Sequence, residues 1–269
     1  VLPAWSRELA GHHAVLAMHA FSLEECGEYA RAEAAACAAI ELHALDARAH
    51  HVMAHVFEMT RQADAGAQWM AQRMPCWGTD TVVATHAWWH LALFHLALDR
   101  PGRALALYDE RVRAGRSAEL SDLIDAASLL WRLRLKGVDV ESRAAELAEA
   151  WAPHVQDAFC SFSDLHAMLA FVAANDWERA GQLDRVLAQA QLRPTRHGES
   201  TRLVGLPACR AMVAFGKGAF RRAAGLFSGL PAFAHRIGGS HAQRDVLTLT
   251  QARAAKGRRA MPAGAPQVV

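Results

Sequence analysis

The chain has 269 residues, 52% of them hydrophobic, and a formal net charge of +2. With two tyrosines and an apolar fraction rich in alanine and leucine, it favours helix over sheet. No uncharged apolar run approaches the roughly 18 residues that span a bilayer, and no secretory pattern opens the chain. These features argue against a membrane protein and make a cytoplasmic location the expectation.

In chain order, four short phrases match one template: "GEYARA" (27–32), "DRPGRA" (99–104), "NDWERA" (175–180) and "GAFRRA" (218–223). Each runs from a small or turn-forming residue through an aromatic or proline to an alanine. In tetratricopeptide repeats such a phrase opens the second helix of a helix–turn–helix unit. A degenerate copy, "RQADAGA" (61–67), carries Gly66 where the others have Ala. The interval from Ala104 to Ala180 leaves room for two units, one of them around "GVDVESRAAELAEAW". Apolar residues recur at i, i+3, i+4 and i+7, and no stretch alternates as a strand would. The reading is all-α: a TPR-like α-solenoid of about six helix–turn–helix units over 1–257, followed by a disordered tail over 258–269.

The five cysteines, Cys26, Cys37, Cys76, Cys160 and Cys209, are scattered without a CxxC pair, so neither a disulfide framework nor a cysteine zinc site is expected. From Arg193 to Arg259 there are thirteen Lys/Arg against two acids, leaving sixteen basic and twenty-five acidic residues elsewhere. That split suits an anionic ligand, an end-to-end contact or simply a solvated basic face. The basic stretch has no nucleic-acid motif or interleaved aromatics. Phosphate loops, dinucleotide fingerprints and the GxSxG elbow are missing too.

Histidines concentrate in "HHVMAHVFEM" (50–59) and "HAWWHLALFH" (86–95). In a TPR register His51, His55, Glu58, His86 and Trp89 face the concave groove. His90 stands one residue off that stripe, Trp88 and His95 fall on packing positions, and His95 lies about 180° around the helix from His86. Three readings stay open: helix packing, a groove for a peptide or small polar or anionic ligand, and a metal or catalytic site. His51/His55 and His86/His90 are i,i+4 pairs that could share one divalent ion such as zinc, with Glu58 as a further ligand or base. "HVMAH" lacks the glutamate of HExxH, so no zinc-hydrolase motif is present. A ligand groove without cofactor is the favoured expectation, and acid–base or metal-assisted hydrolysis of a small anion at the same histidines is the alternative.

Further candidates lie downstream. Asp122, Asp125 and Arg132 share a helix face and read as an intrahelical charge network. Asp164, just before "AMLAFVAA", suits a helix start. In "GGSHAQRD" Ser240 reads as an N-cap, with His241, Arg244 and Asp245 along one side of an anion-attracting helix start or with Arg244 and Asp245 paired.

"HHVMAHVFEM", "HAWWHLALF", "DAASLLWRLRLKG" (125–137) and "IGGSHAQRDV" (237–246) together resemble the tetratricopeptide-repeat protein 38 family, in the expected order and over nearly the whole chain. The resemblance implies a TPR-like helical fold, a soluble protein, and N-terminal helices of the family pattern lacking here. It implies no reaction.

Overall fold

The computed structural model describes residues 11–78 and 83–260, the last three of these by their backbone alone. Among the described residues every regular element is helical. The chain divides into two compact units, residues 1–116 and 117–269.

Unit 1 holds α1 (His12–Glu25), α2 (Tyr29–Leu42), α3 (Ala47–Met59), α4 (Ala63–Gln72), the short α5 (Met74–Trp77), α6 (Ala84–Ala97) and α7 (Pro101–Leu107), which continues as a π-helical turn, Tyr108–Val112. Unit 2 holds α8 (Leu120–Leu135), α9 (Glu141–Trp151), α10 (Ser161–Ala173), α11 (Trp177–Ala190), α12 (Arg196–Ser200), a π-helical turn (Thr201–Gly205), α13 (Leu206–Gly216), α14 (Phe220–Phe227) and α15 (His241–Ala260). Among the described residues the hairpins are α1–α2, α3–α4, α6–α7, α8–α9, α10–α11 and α13–α14. The tail expected to be disordered lies outside the described residues from 261 onward, and α15 runs through Ala260.

One backbone device closes all six. Gly27, Arg61, Asp99, Gly137, Asn175 and Gly218 have positive φ, from 54° to 84°, directly after the first helix of each pair. At each, the left-handed residue donates its N–H to the carbonyl three positions back, and the next N–H reaches five back. Gly27 to Glu24 with Glu28 to Leu23, and Asn175 to Val172 with Asp176 to Phe171, are two of the six instances. This doubly bonded Schellman ending satisfies carbonyls that the helix leaves open and turns the chain through a fixed angle. It explains the first letter of the phrases: Gly, Asn and Asp tolerate that conformation best.

The closing alanine of the phrase has an equally physical cause. Ala32, Ala104, Ala180 and Ala223 are at most 2% exposed, so the helices meet there over a methyl group. In the degenerate copy, a Cβ on Gly66 would stand 2.6 Å from the Phe94 ring, which occupies the space the methyl takes elsewhere. In the fourth hairpin the turn is longer, and Ala144 fills the role seven residues after Gly137. Left-handed residues 99, 137 and 175 thus mark two repeat steps from the second full phrase to the third, with the single hairpin α8–α9 between them.

Each unit builds its own core. Met53, Met70, Trp77, Trp89 and Phe94 are fully buried in unit 1, and Leu129, Trp131, Trp151, Phe171 and Phe227 in unit 2. Trp131 donates its indole N–H to Thr250 Oγ1 at 2.9 Å, pinning α15 onto α8. Among the described residues no helix is long and apolar enough to cross a membrane.

Candidate functional site in unit 1

The first helices of the three hairpins of unit 1 pack in sequence, α1 on α3 and α3 on α6. Asp46 caps α3 by accepting from the N–H groups of Arg48 and Ala49, and it also meets His13 Nδ1 at 2.6 Å. From that start, residues 51, 55 and 58 fall on one face of α3, since steps of three and four return to the same side of a helix. The same spacing puts His86 and His90 together on α6. Packing α3 against α6 brings the two imidazole pairs into one cluster.

In that cluster, one nitrogen from each of His51, His55, His86 and His90 lies within 4.8 Å of the other three. The ring centroids of His51 and His55 stand 4.5 Å apart, those of His55 and His90 4.6 Å, and those of His86 and His90 4.8 Å. His55 Nε2 and His51 Nε2 approach to 3.0 Å. His55 and His90 are buried, at 1% and 0% exposure, whereas His51 and His86 reach the surface in part. Burial, then the neighbouring His55 and His86, hold the His51 pKa well below the usual histidine value. His51 therefore stays neutral at neutral pH, the form in which imidazole has a lone pair to give.

Carboxyl groups flank the cluster on both sides. His90 Nδ1 meets Glu58 Oε2 at 2.9 Å in a hydrogen bond. The imidazole N–H on that side then leaves Nε2 as the lone-pair nitrogen, the orientation metal-binding histidines take when a carboxylate backs them. On the other side His55 Nδ1 stands 3.2 Å from Glu24 Oε2, with both side chains at most 1% exposed. Glu24, Glu25 and His55 form a second group with donor atoms within 4.8 Å. Trp89 is fully buried and stacks on His86 at 5.0 Å and 12°, so it walls the cluster instead of facing an open groove. Phe21 stacks on His51 at 5.9 Å and borders a cavity of about 340 Å³ that His51 and Arg48 also line.

The structure therefore brings His51, His55, Glu58, His86, Trp89 and His90 together, and it includes His90, which the TPR register set off the stripe. Trp88 packs against Trp77 and donates to the Gly78 carbonyl at 3.1 Å, as its packing position requires. Sequence reasoning missed Glu24, Glu25 and Phe21. A signal for Glu24 exists: it precedes the left-handed Gly27 by three residues, as Glu58 precedes Arg61. Equivalent repeat positions send both carboxyls toward a histidine on the next hairpin's first helix.

The remaining expected site residues, Asp125, Arg132, His241, Arg244 and Asp245, belong to unit 2 and make an arrangement of their own. Arg132, 4% exposed, bonds Ser128, donates to the Ala242 carbonyl at 2.9 Å and pairs with Asp245. It thus reaches beyond its own helix to tie α8 to α15. The alternative pairing of Arg244 with Asp245 is not formed, because Arg132 takes Asp245 and Arg244 donates to the Gly239 carbonyl. Asp125 is buried and His241 is exposed. Ser240 does cap α15, accepting from Gln243 N–H at 3.4 Å, while Gln243 Oε1 accepts from Ser240 N–H at 2.9 Å. That reciprocal pair uses the N–H an anion would want.

Asp164 does not start α10, which Cys160 caps through Sγ. Asp164 is instead buried one turn in, its carboxyl pushed up to about 7 by burial and by Asp157. His166 is held down to about 4 by burial, with Arg132 adding to the effect against its bond to the Phe162 carbonyl.

No protein-family model matches the chain, and no solved structure matches it.

Proposed function

We propose that unit 1 binds a divalent first-row transition metal through His51, His55, His86 and His90. The carrying observation is the convergence of four imidazole nitrogens from two helices within 4.8 Å. Nitrogens bound about 2 Å from one tetrahedral ion stand about 3.3 Å apart, so modest side-chain rotation closes the set. Imidazole donors suit zinc, copper, iron and nickel over calcium or magnesium. The hydrogen bond from His90 to Glu58 supplies the orienting carboxyl group that such ligands use. The fold reading that goes with this is a TPR-like stacking of the hairpins within each unit, akin to the tetratricopeptide-repeat protein 38 family. The repeated turn and the buried small residue support it.

The test is zinc binding by the metal-stripped full chain. Tight binding at the histidines is expected, together with cobalt(II) absorption bands of nitrogen coordination that His51→Ala/His90→Ala abolishes. Absence of stoichiometric binding, or binding unchanged in that variant, rejects the proposal.

One observation favours a second, catalytic layer. The 340 Å³ cavity shares His51 with the cluster and is lined mainly by Ala17, Met18, Phe21 and Val52, with Arg48 as its cation. A small molecule with an apolar body and an anionic group fits that lining and could present its reacting group to the ion, which would act as a Lewis acid. Hydrolysis of carboxylic and phosphoric ester panels by zinc-loaded chain, lost in His51→Ala, is the expected result. Arg48→Ala should raise KM with little change in kcat.

A further inference from the structure

The two carboxyl–imidazole contacts of unit 1 look alike in sequence register but differ in geometry. Glu58 and His90 make an aligned hydrogen bond at 2.9 Å. Glu24 Oε2 and His55 Nδ1, at 3.2 Å, do not: neither atom has a hydrogen-bond partner. Glu24 Oε1 and Glu25 Oε1 are likewise buried without a hydrogen bond. A carboxyl group with 0% exposure and neither oxygen satisfied is costly unless a cation meets it.

Two donors that share an ion explain such a contact. Each points its lone pair at the ion and not at its neighbour, so they stand about 3.0–3.4 Å apart while lying off each other's axis. Glu24 Oε2 and His55 Nδ1 meet that description at 3.2 Å, and Glu25 joins them in a group whose donor atoms lie within 4.8 Å of one another. His55 is also a member of the four-histidine cluster, and its other ring nitrogen, Nε2, stands 3.0 Å from His51 Nε2.

We infer that Glu24, Glu25 and Nδ1 of His55 form a second divalent-metal position, bridged to the first through the His55 ring. This rests on the four-histidine reading. His55 gives both ring nitrogens, so its remaining N–H proton leaves to solvent as the second metal–nitrogen bond forms. The bridge is then an imidazolate. Its negative charge and the two carboxylates offset the charge of the second ion and part of the first.

Two measurements test it on the full chain. Equilibrium dialysis against zinc, with the metal counted by elemental analysis, should give two ions per wild-type chain and one in Glu24→Gln. One ion in both proteins overturns the second position and leaves Glu24 as an orienting group for His55, with the first site intact. No bound ion rejects the four-histidine reading as well. Because Glu24→Gln could fail to fold, the second measurement uses the wild-type chain loaded with copper(II). An imidazolate bridge couples the two copper spins, so the electron paramagnetic resonance signal should integrate well below two spins per chain at low temperature. Two fully independent copper signals overturn the bridge.

Discussion

In unit 2, Arg132 is buried at 4% exposure and finds Ser128, the Ala242 carbonyl and Asp245 around it. In unit 1, the buried His55 faces His51 on one side and on the other a Glu24 carboxyl with no hydrogen bond. Both arrangements join first helices to later elements, and both bury groups that water would otherwise solvate. The difference lies in completion. The guanidinium has opposite charge and oxygen acceptors in its fork, so it serves as a structural tie. The imidazole cluster brings four ring nitrogens together, and beside it the contact of Glu24 with His55 is made without a hydrogen bond. A polar cluster whose charges and hydrogen bonds are complete reads as architecture, and one that buries carboxyl oxygens without a hydrogen bond reads as a binding site.

Four variants break or sharpen that contrast. The largest effect is expected from His55→Ala/His90→Ala, which should weaken zinc binding by more than ~100-fold, beyond the loss typical of an orienting group; competition with a chromophoric chelator reads it. Next, Arg132→Met should cost about 3 kcal/mol of stability, the low end for a broken buried pair because Asp245 is 43% exposed. Its zinc affinity should be unchanged, and a shifted denaturation midpoint at constant slope is the signature. Should Arg132→Met abolish zinc binding instead, the division between tie and site fails.

Glu58→Gln should weaken zinc binding by about 10- to 100-fold while leaving helicity and melting close to wild type. A lost fold would make Glu58 a structural partner of His90. The smallest change concerns Arg61, which is exposed and holds φ 60° at the second hairpin turn. Arg61→Gly relieves that conformation and should raise stability by about 1 kcal/mol, measured by thermal melting.

The pH behaviour of α10 adds a check in unit 2 that does not involve metal. Asp164 is raised to about 7 in the folded chain, so its contribution is complete below the unfolded carboxyl value and declines as pH rises through 7. His166 is lowered to about 4, so its contribution is complete above the unfolded value near 6.5 and declines as pH falls toward 4. Asp164→Asn should therefore raise the Tm more at pH 8 than at pH 5. An equal shift at both would show that Asp164 does not titrate in this window.

Much of the local design was legible. The six-letter phrases located the hairpins because their first residue takes a left-handed conformation and their last must be small, both demands that one repeat unit makes by itself. The i,i+4 histidine pairs were visible for the same reason, since a single helix decides which side chains share its face. What spacing could not give was the partner of each pair. Glu24 lies more than thirty residues from His55, and although its place three residues before Gly27 matches that of Glu58 before Arg61, nothing in "SLEEC" names the histidine it meets. In the same way the sequence placed Arg132 in an intrahelical network, and spacing could not show that it also pairs with Asp245, more than a hundred residues away.

The sequence alone therefore determined the helices, their turns and the pairing of histidines along α3 and α6, because these follow from backbone sterics and a 3.6-residue period. Only tertiary packing decided that the two pairs meet, that Glu58 completes its hydrogen bond with His90, and that Glu24 reaches His55 without completing one. Distance and direction between separate helices depend on how side chains interlock across them, and that information is spread over the whole core of unit 1.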